Sequence, residues 1–240
     1  MGAGAIVAVG PSAAGQRALR IANGRIVALA EAAGEAAALA AVGQDAGDVL
    51  LRLGQGVPGT VPARACDGIA AFGCLTQDRP ADVLDIWARL IVAGHAAGEA
   101  NWDGVICVAG DGVQFWVHLS AGEIVSFQGF LTPRLIGALG GAGDVDAAAL
   151  ADTMSRPERL AAHLRGAQLA GDARAISGHL IGAELAAARP YWLGQRVVLV
   201  APDGVASPYE GALRAQGGPV SLGEAAALTL AGLRAVRAAG

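Results

Sequence analysis

The chain has 240 residues, a formal net charge of -4 and 54% hydrophobic residues, so it can bury a sizeable core in one large domain or two small ones. The negative balance offers no basic surface to nucleic acid or to an anionic membrane, and we expect neither partner. All 17 basic residues are arginines, which excludes the lysine that P-loop NTPases, protein kinases and Schiff-base enzymes require. The sequence contains no run of about 18 apolar residues, so it predicts no membrane span.

The first predicted elements are three strands within residues 5–32. The string AIVAVG predicts a strand that leads through a small-residue turn to QRALRIA and then to RIVALAEA. Asn23-Gly24 lies between the second and third strands and predicts a type I′ hairpin, because both central residues of that turn need positive φ. A short helix at 34–43 and a strand at 48–54 follow.

The stretch at 80–98 predicts a helix that Pro80 begins. Its apolar residues recur at helical spacing on one face, namely Val83, Ile86, Trp87, Leu90 and Ile91. Asp82 then falls in the first helical turn, where the helix dipole favours a carboxylate. Gly, Asn and Asp follow and predict a linker, so we divide the chain into domains at 1–101 and 102–240.

The second half repeats the order of the first. VICVAG at 105–110 predicts a strand, Asp111-Gly112 a turn, VQFWVHL a second strand and EIVSFQG a third. Helices are predicted at 144–155, 156–171 and 176–192. A buried strand at 195–204 runs into a loop, and two further helices at 208–218 and 224–240 end the chain.

The three cysteines are odd in number and lack CxxC spacing, which is typical of reduced thiols in a cytoplasmic protein. The four histidines are scattered, without HExxH or paired spacing. The histidines therefore give no indication of a zinc site.

The string SGHLIGAE at 177–184 and the strand-loop-helix VVLVAPDGVASPYEGALRAQGG resemble the C-terminal part of 2-keto-3-deoxygalactonate kinases, also called 2-dehydro-3-deoxygalactonokinases. The hairpin at 105–127 falls where that family has its central Pro-Gly-Thr-His-x-Lys-Trp hairpin. The resemblance implies an α/β fold with mixed sheets flanked by helices, as two ribonuclease H-like domains of the actin-like ATPase type. It also implies phosphoryl transfer from ATP, with Mg²⁺, to a sugar acid.

In the first half, the resemblance places Gly10 and Ser12 at a nucleotide loop, where a backbone amide and a hydroxyl could contact phosphate. The family's Asp is replaced by Ala8. Where the family has Arg-Gly-Glu-Glu, this chain keeps Arg79 and Asp82, for which the resemblance implies catalytic roles. Arg79 would clamp the carboxylate of a sugar acid, or else it is a solvated residue before a helix.

In the second half, the resemblance places Gly110 and Asp111 at the phosphate turn, with Gln114 where the family has lysine. Asp111 either holds Mg²⁺ or is a plain turn residue. Asp203 and Gly204 occupy the adenine-side loop. Glu184, in the IGAE string, either lies buried at a functional cleft or faces solvent or an arginine.

Three functions remain open from the sequence. The first is an ATP-dependent kinase that phosphorylates 2-keto-3-deoxygalactonate. The second is a catalytically impaired homologue that binds a sugar acid or a nucleotide. The third is a structural module, as a subunit of a homodimer, whose low charge and high apolar content suit an interface.

Overall fold

The computed structural model describes residues 5–99, 101–110, 112–201 and 203–240, and of residues 203–207 the backbone alone. The chain forms two compact units. The first comprises Met1–Trp102, Ser120–Val125 and Ala225–Gly240, and the second comprises Asp103–Leu119 and Ser126–Glu224. The sequence-based domains at 1–101 and 102–240 share the boundary near residue 102 but place 120–125 and the last 16 residues elsewhere.

The strands, in chain order, are β1 (Ile6–Ser12), β2 (Gly15–Ala22), β3 (Arg25–Ala32), β4 (Val49–Arg52), β5 (Gly59–Thr60), β6 (Ala63–Arg64), β7 (Leu75–Asp78), β8 (Ala81–Leu84), β9 (Asp103–Ala109), β10 (Gln114–Ser120), β11 (Glu123–Phe130), β12 (Val197–Val200) and β13 (Val220–Leu222). The helices are α1 (Glu35–Ala41), α2 (Ile86–Gly98), α3 (Thr132–Ala138), α4 (Ala147–Ser155), α5 (Leu160–Ala170), α6 (Ala173–Ala187), α7 (Arg189–Trp192), α8 (Asp203–Ala215) and α9 (Ala225–Ala238). No helix in the part of the chain that the structure describes is long and apolar enough to span a membrane.

The first unit is built on a sheet of order β3-β2-β1-β4, in which β1, β2 and β3 are antiparallel and β4 runs parallel to β1. The predicted hairpin is confirmed, because Asn23 has φ 51° and Gly24 has φ 73°. Central strand β1 is buried on both faces, which explains its continuous apolar run. Val7 and Val9 pack with α1 on one face, and Ala8 packs against α2 and α9 on the other.

Helices α2 and α9 pack closely in the first unit because glycines line their contact. A Cβ placed on Gly94 would lie 2.0 Å from the carbonyl oxygen of Leu228, and one on Gly232 would lie 2.1 Å from that of Leu90. Only a residue without a side chain lets the two backbones approach so closely. This contact holds the closing helix in the first unit.

The prediction of a helix from residue 80 was wrong for its first six residues. Ala81–Leu84 forms β8, which pairs antiparallel with β7, and Pro80 lies in the turn between the two strands. The helix begins at Ile86 because the Asp85 carboxylate caps it, accepting from the backbone N–H groups of Trp87 and Ala88 at 2.9 and 2.8 Å. Asp82 is therefore a strand residue, and the helix-dipole explanation for it is wrong.

A buried arginine fixes the segment that precedes β7. Arg89, on α2, is 1% exposed and donates to the carbonyl oxygens of Gly73, Arg64 and Ala65 at 2.7, 2.9 and 3.3 Å. Its guanidinium also pairs with the Asp67 carboxylate. The donors of one buried guanidinium thus satisfy three backbone carbonyls of this segment at once.

The second unit contains a sheet in which β13, β12, β9, β10 and β11 are successive neighbours, with β12 parallel to both β9 and β13. The order repeats that of the first unit, since three consecutive strands are followed by helices and by a strand that lies parallel beside the first. The core of this unit joins Trp116 and Cys107 of the sheet to Leu185, Trp192 and Tyr209 of the helices. The α/β class with mixed sheets and flanking helices is confirmed in both units.

Candidate functional site

The candidate site in the second unit lies at the edge where β9 and β12 end. Because these strands are parallel, their carboxyl ends meet at the same edge of the sheet. Gly110 follows β9, Ala201 follows β12, and α8 begins at Asp203. Ligands of open α/β sheets bind in such positions, outside the carboxyl ends of the strands.

The turn between β9 and β10 is tight and carries an arginine against it. The N–H of Gly110 donates to the carbonyl of Val113 at 2.8 Å, and that of Gly112 donates to the carbonyl of Gly110 at 2.8 Å. Gly112 has φ 76°, and a Cβ there would lie 2.7 Å from Nε of Arg134. The exposed side chain of Arg134, from α3, therefore crosses the turn at Gly112, and the positive φ there favours glycine. Asp111, predicted as a metal ligand, lies outside the described residues.

Gln114, which the resemblance places where the family has lysine, does not face solvent. It is 1% exposed, and its side-chain amide donates to Sγ of Cys107 at 2.8 Å. Its Oε1 has no hydrogen-bond partner among the described residues, and a buried acceptor left in that state is costly. A lysine at this position would have to be buried, and the cationic side chain that lies against this turn is Arg134 on the next helix.

Helix α8 begins earlier than the sequence predicted. The expected loop through Asp203 and Gly204 is the first turn of the helix, which begins at Asp203. The helix begins early because strand β12 ends at Val200, which leaves only two residues to connect the strand to the helix. The first N–H groups of a helix have no intrahelical acceptor and favour anions, so Asp203 and Gly204 remain at a position suited to phosphate. The side chain of Asp203 lies outside what is described.

A buried carboxylate joins the elements that follow this edge. Glu184, on α6, is 2% exposed and accepts from Nε1 of Trp116 at 2.9 Å and from the hydroxyl of Tyr209 at 2.9 Å. The Thr132 side chain also hydrogen-bonds to it. Burial raises the pKa of Glu184 to about 7, although these three donors act against the rise. Glu184 is therefore buried and does not face solvent, and its partners among the described residues are neutral donors, whereas its place at a functional cleft stays a prediction.

In the first unit, Gly10 and Ser12 lie at the end of β1. A Cβ on Gly10 would lie 2.6 Å from Cδ1 of Ile86, so this glycine is needed for packing beneath the start of α2. The carbonyl of Pro11 accepts from Nε1 of Trp87 at 2.8 Å, which fixes the turn. The Ser12 hydroxyl is buried and has no partner within the described ranges, so it can still accept or donate one hydrogen bond to a ligand.

Arg79 and Asp82 lie on the β7–β8 hairpin of the same unit. Arg79 is exposed at the turn, and Asp82 is opposite Gln77 in the register of the two strands. One carboxylate oxygen of Asp82 accepts from the N–H of Val83 at 2.8 Å. The hairpin leads directly into Asp85 and the start of α2, which contacts the Gly10–Ser12 segment. The structure therefore brings these residues onto one hairpin.

Sequence reasoning missed Thr132, Arg134 and Tyr209. Arg134 gave no signal, because a lone arginine after a proline fits no motif. Tyr209 and Thr132 could have been found only through Glu184, since a carboxylate in an apolar helix needs donors from the facing elements. In the part of the chain that is described, no group of three or more His, Cys, Asp or Glu residues is arranged to hold a metal ion.

Comparison with known proteins adds two findings to this geometry. The family model of 2-keto-3-deoxy-galactonokinase matches residues 144–236. The crystal structure of a protein from Sinorhizobium meliloti, classed provisionally as a 2-dehydro-3-deoxygalactonokinase, is similar over 97% of both chains, with 25% sequence identity and a TM-score of 0.74. No protein of curated function matches the chain.

Proposed function

We propose that this chain, which belongs to the 2-keto-3-deoxy-galactonokinase family, transfers the γ-phosphoryl group of ATP to a hydroxyl of 2-dehydro-3-deoxy-D-galactonate. The observation that carries the proposal is the sheet edge of the second unit, where the Gly110–Gln114 turn, Arg134 and the start of α8 follow strands β9 and β12. Phosphoryl transfer depends on such positioned donors, because its transition state spreads charge over the phosphate oxygens.

The topology supports an actin-like fold made of two ribonuclease H-like domains. Each unit has three consecutive strands and then a strand parallel to the first, in the order β3-β2-β1-β4 in one unit and β11-β10-β9-β12 in the other. Two-domain actin-like sugar kinases share this plan of repeated units. The repeated order therefore favours the proposed fold.

In the reaction, the hydroxyl oxygen of the sugar acid attacks the γ-phosphorus, the bond from that phosphorus to the bridging oxygen breaks, and ADP leaves. The proposal assigns Asp82 to take the hydroxyl proton and Arg79 to bind the sugar-acid carboxylate, as the family resemblance implies. As the family resemblance implies, the proposed nucleotide contacts are Gly10 and Ser12 in the first unit, and in the second unit Gly110 and the start of α8, whose first N–H groups favour anions. Arg134 supplies a guanidinium, which can pair with two phosphate oxygens at once.

We propose that Mg²⁺ binds here through few protein ligands. Mg²⁺ usually binds one or two carboxylates together with substrate phosphates and several waters, so it needs no all-protein cage. The absence of a three-ligand cluster among the described residues is compatible with that chemistry. The proposed ligand is Asp111, and the ion would neutralise charge between the phosphates.

The location and partners are also proposals. The three cysteines are free thiols, which supports a cytoplasmic protein. We propose a small sugar acid as the partner, with neither nucleic acid nor membrane, and a homodimer as the assembly.

The test is an ADP-release assay with 2-keto-3-deoxygalactonate, comparing the wild type with Arg134→Ala and Arg134→Lys. We expect Arg134→Ala to lower kcat/KM by about a hundredfold, with partial recovery in Arg134→Lys, because one charged donor of a transition state is worth about that much. Arg165→Ala is the matched control, since Arg165 is an exposed arginine on α5 of the same unit.

If the protein binds magnesium-ATP but releases no ADP in the presence of any keto-deoxy acid, the kinase proposal is contradicted and the chain is a binding homologue. No heat of binding and no thermal shift at millimolar nucleotide would reduce the 110–114 turn to a bend. Equal activity of Arg134→Ala and wild type would remove Arg134 from the site.

A further inference from the structure

Glu184 is a carboxylate whose described hydrogen-bond partners are neutral donors on three other elements. Trp116 belongs to β10, Thr132 is the first residue of α3, and Tyr209 lies about two turns into α8. Glu184 itself projects from α6, which packs against α4 through glycines at 178 and 182. One side chain on a fixed helix therefore contacts three separate segments.

Each of these segments continues to the proposed nucleotide site. Trp116 is two residues beyond Gln114, where the phosphate turn enters β10. Thr132 is two residues before Arg134, whose side chain crosses Gly112. Tyr209 lies on the helix whose first turn contains Asp203 and Gly204. A shift of Glu184 would displace the turn, the guanidinium and the start of the helix together.

We propose that Glu184 is a positioning residue of the nucleotide site, whose carboxylate holds β10, the start of α3 and α8 in one arrangement. The inference rests on the proposed function, since it assigns the three segments to nucleotide binding. Glu184 touches no reacting atom and acts through Arg134 and the two backbone segments. The hydrogen bonds from the three donors offset part of the unfavourable desolvation of the carboxylate.

The number of donors makes the arrangement sensitive to protonation. An ionised carboxylate only accepts, so it can satisfy the Trp116 indole, the Tyr209 hydroxyl and the Thr132 side chain together. A protonated acid must donate its own proton to one hydroxyl, because an indole N–H cannot accept, and that hydroxyl then no longer donates to Glu184. The other titratable groups that face Glu184 are Cys107 on β9 and Tyr209 on α8, and burial raises the pKa of both well above its ordinary value. Both therefore remain neutral while Glu184 titrates.

The first arm of the test needs no nucleotide. In wild-type protein labelled with ¹⁵N, the indole N–H resonance of Trp116, assigned with Trp116→Phe, should shift with a midpoint near pH 7, and in Glu184→Gln it should not move. Trp192 is the internal control, because its indole donates to the carbonyl of Leu185 at 2.8 Å on the same helix. A Trp116 resonance that stays constant in wild type from pH 5 to 9 would overturn the inference.

The second arm measures the dissociation constant of magnesium-ATP at pH 6 and pH 8 for wild type and Glu184→Gln. The glutamine variant keeps the shape, since its oxygen can accept from Trp116 and its amide can donate to Tyr209, but it cannot titrate. Glu184 is ionised in about a tenth of wild-type molecules at pH 6 and in about nine tenths at pH 8. Between pH 6 and pH 8, the dissociation constant of the wild type should therefore fall about tenfold relative to that of Glu184→Gln.

Ser177→Ala provides the matched control for burial. Ser177 is fully buried on the same helix and donates to the carbonyl of Ala142 at 2.7 Å, so its loss removes a buried hydrogen bond without affecting the three segments. Its pH dependence should equal that of wild type. If the ratio of the wild-type dissociation constant to that of Glu184→Gln is the same at pH 6 and pH 8, the inference is overturned and the proposed function is not. A wild type that binds no nucleotide at either pH would overturn the proposed function and the inference with it.

Discussion

Replacing Glu184 by Gln should make the protein progressively more stable than wild type as the pH rises. Burial holds the pKa of Glu184 at about 7 in the folded protein, whereas its ordinary value is 4.5. Because the folded pKa is raised, the stability that this group contributes is complete below about pH 4.5 and is lost as the pH rises through about 7. At about 1.4 kcal/mol for each pH unit, the gap between 4.5 and 7 amounts to about 3 kcal/mol.

The assay is urea unfolding followed by circular dichroism at intervals from pH 4.5 to pH 8.5, for wild type and Glu184→Gln. The difference in unfolding free energy should grow in favour of the variant by about 3 kcal/mol up to pH 7 to 7.5 and then level off, because both states of the wild type are then ionised. Glu224→Gln, at an exposed carboxylate, should leave the difference nearly constant. A Glu184→Gln difference that varies by less than about 0.5 kcal/mol over this range would refute the reasoning.

Gly94→Ala should destabilise the first unit by several kcal/mol, since its Cβ would meet the Leu228 carbonyl at 2.0 Å, and thermal unfolding measures the loss. Arg89→Met should cost about 3 to 5 kcal/mol in denaturant unfolding, because it leaves the Asp67 carboxylate and three backbone carbonyls without their buried donor. Native protein treated with a thiol reagent should be modified at Cys66 and Cys74 and not at Cys107, which is fully buried and whose pKa burial raises, as mass spectrometry would show.

Matched controls separate these effects from general sensitivity to substitution. Gly166→Ala, inside α5 with open space around it, should stabilise by up to about 1 kcal/mol, and a loss like that of Gly94→Ala would contradict the packing argument. Arg52→Met, which breaks an exposed pair with Glu35, should change stability by at most about 1 kcal/mol. For Cys107, modification should follow only on unfolding, and labelling at the native rate of Cys66 would contradict its burial.

Much of the sheet architecture could be predicted from the sequence because its signals are local. The type I′ turn predicted at Asn23-Gly24 requires positive φ at both residues, and both have positive φ in the structure. The repeated order of three strands in each half follows from short apolar runs bounded by turn residues. The helix at 80–98 failed in its first part because Val83 fits both a helical and an alternating pattern, and pairing of β8 with β7 decided between them.

The candidate site was less predictable because its contacts are distant in sequence. The resemblance gave the positions of Gly10, Ser12, Gly110, Asp203 and Gly204, and the structure places each at the end of a strand or the start of a helix. No periodicity indicated that Gln114 points inward to Cys107 or that Arg134 crosses the turn. Asp111 stays a prediction.

The sequence by itself determined the class of fold and indicated the family resemblance, because apolar spacing, turn residues and the SGHLIGAE string are properties of short stretches of chain. Only the tertiary structure decided the burial and the raised pKa of Glu184, because donors from β10, α3 and α8 converge on this one carboxylate. Burial and hydrogen bonding set the charge of such a group, and both depend on which distant segments surround it.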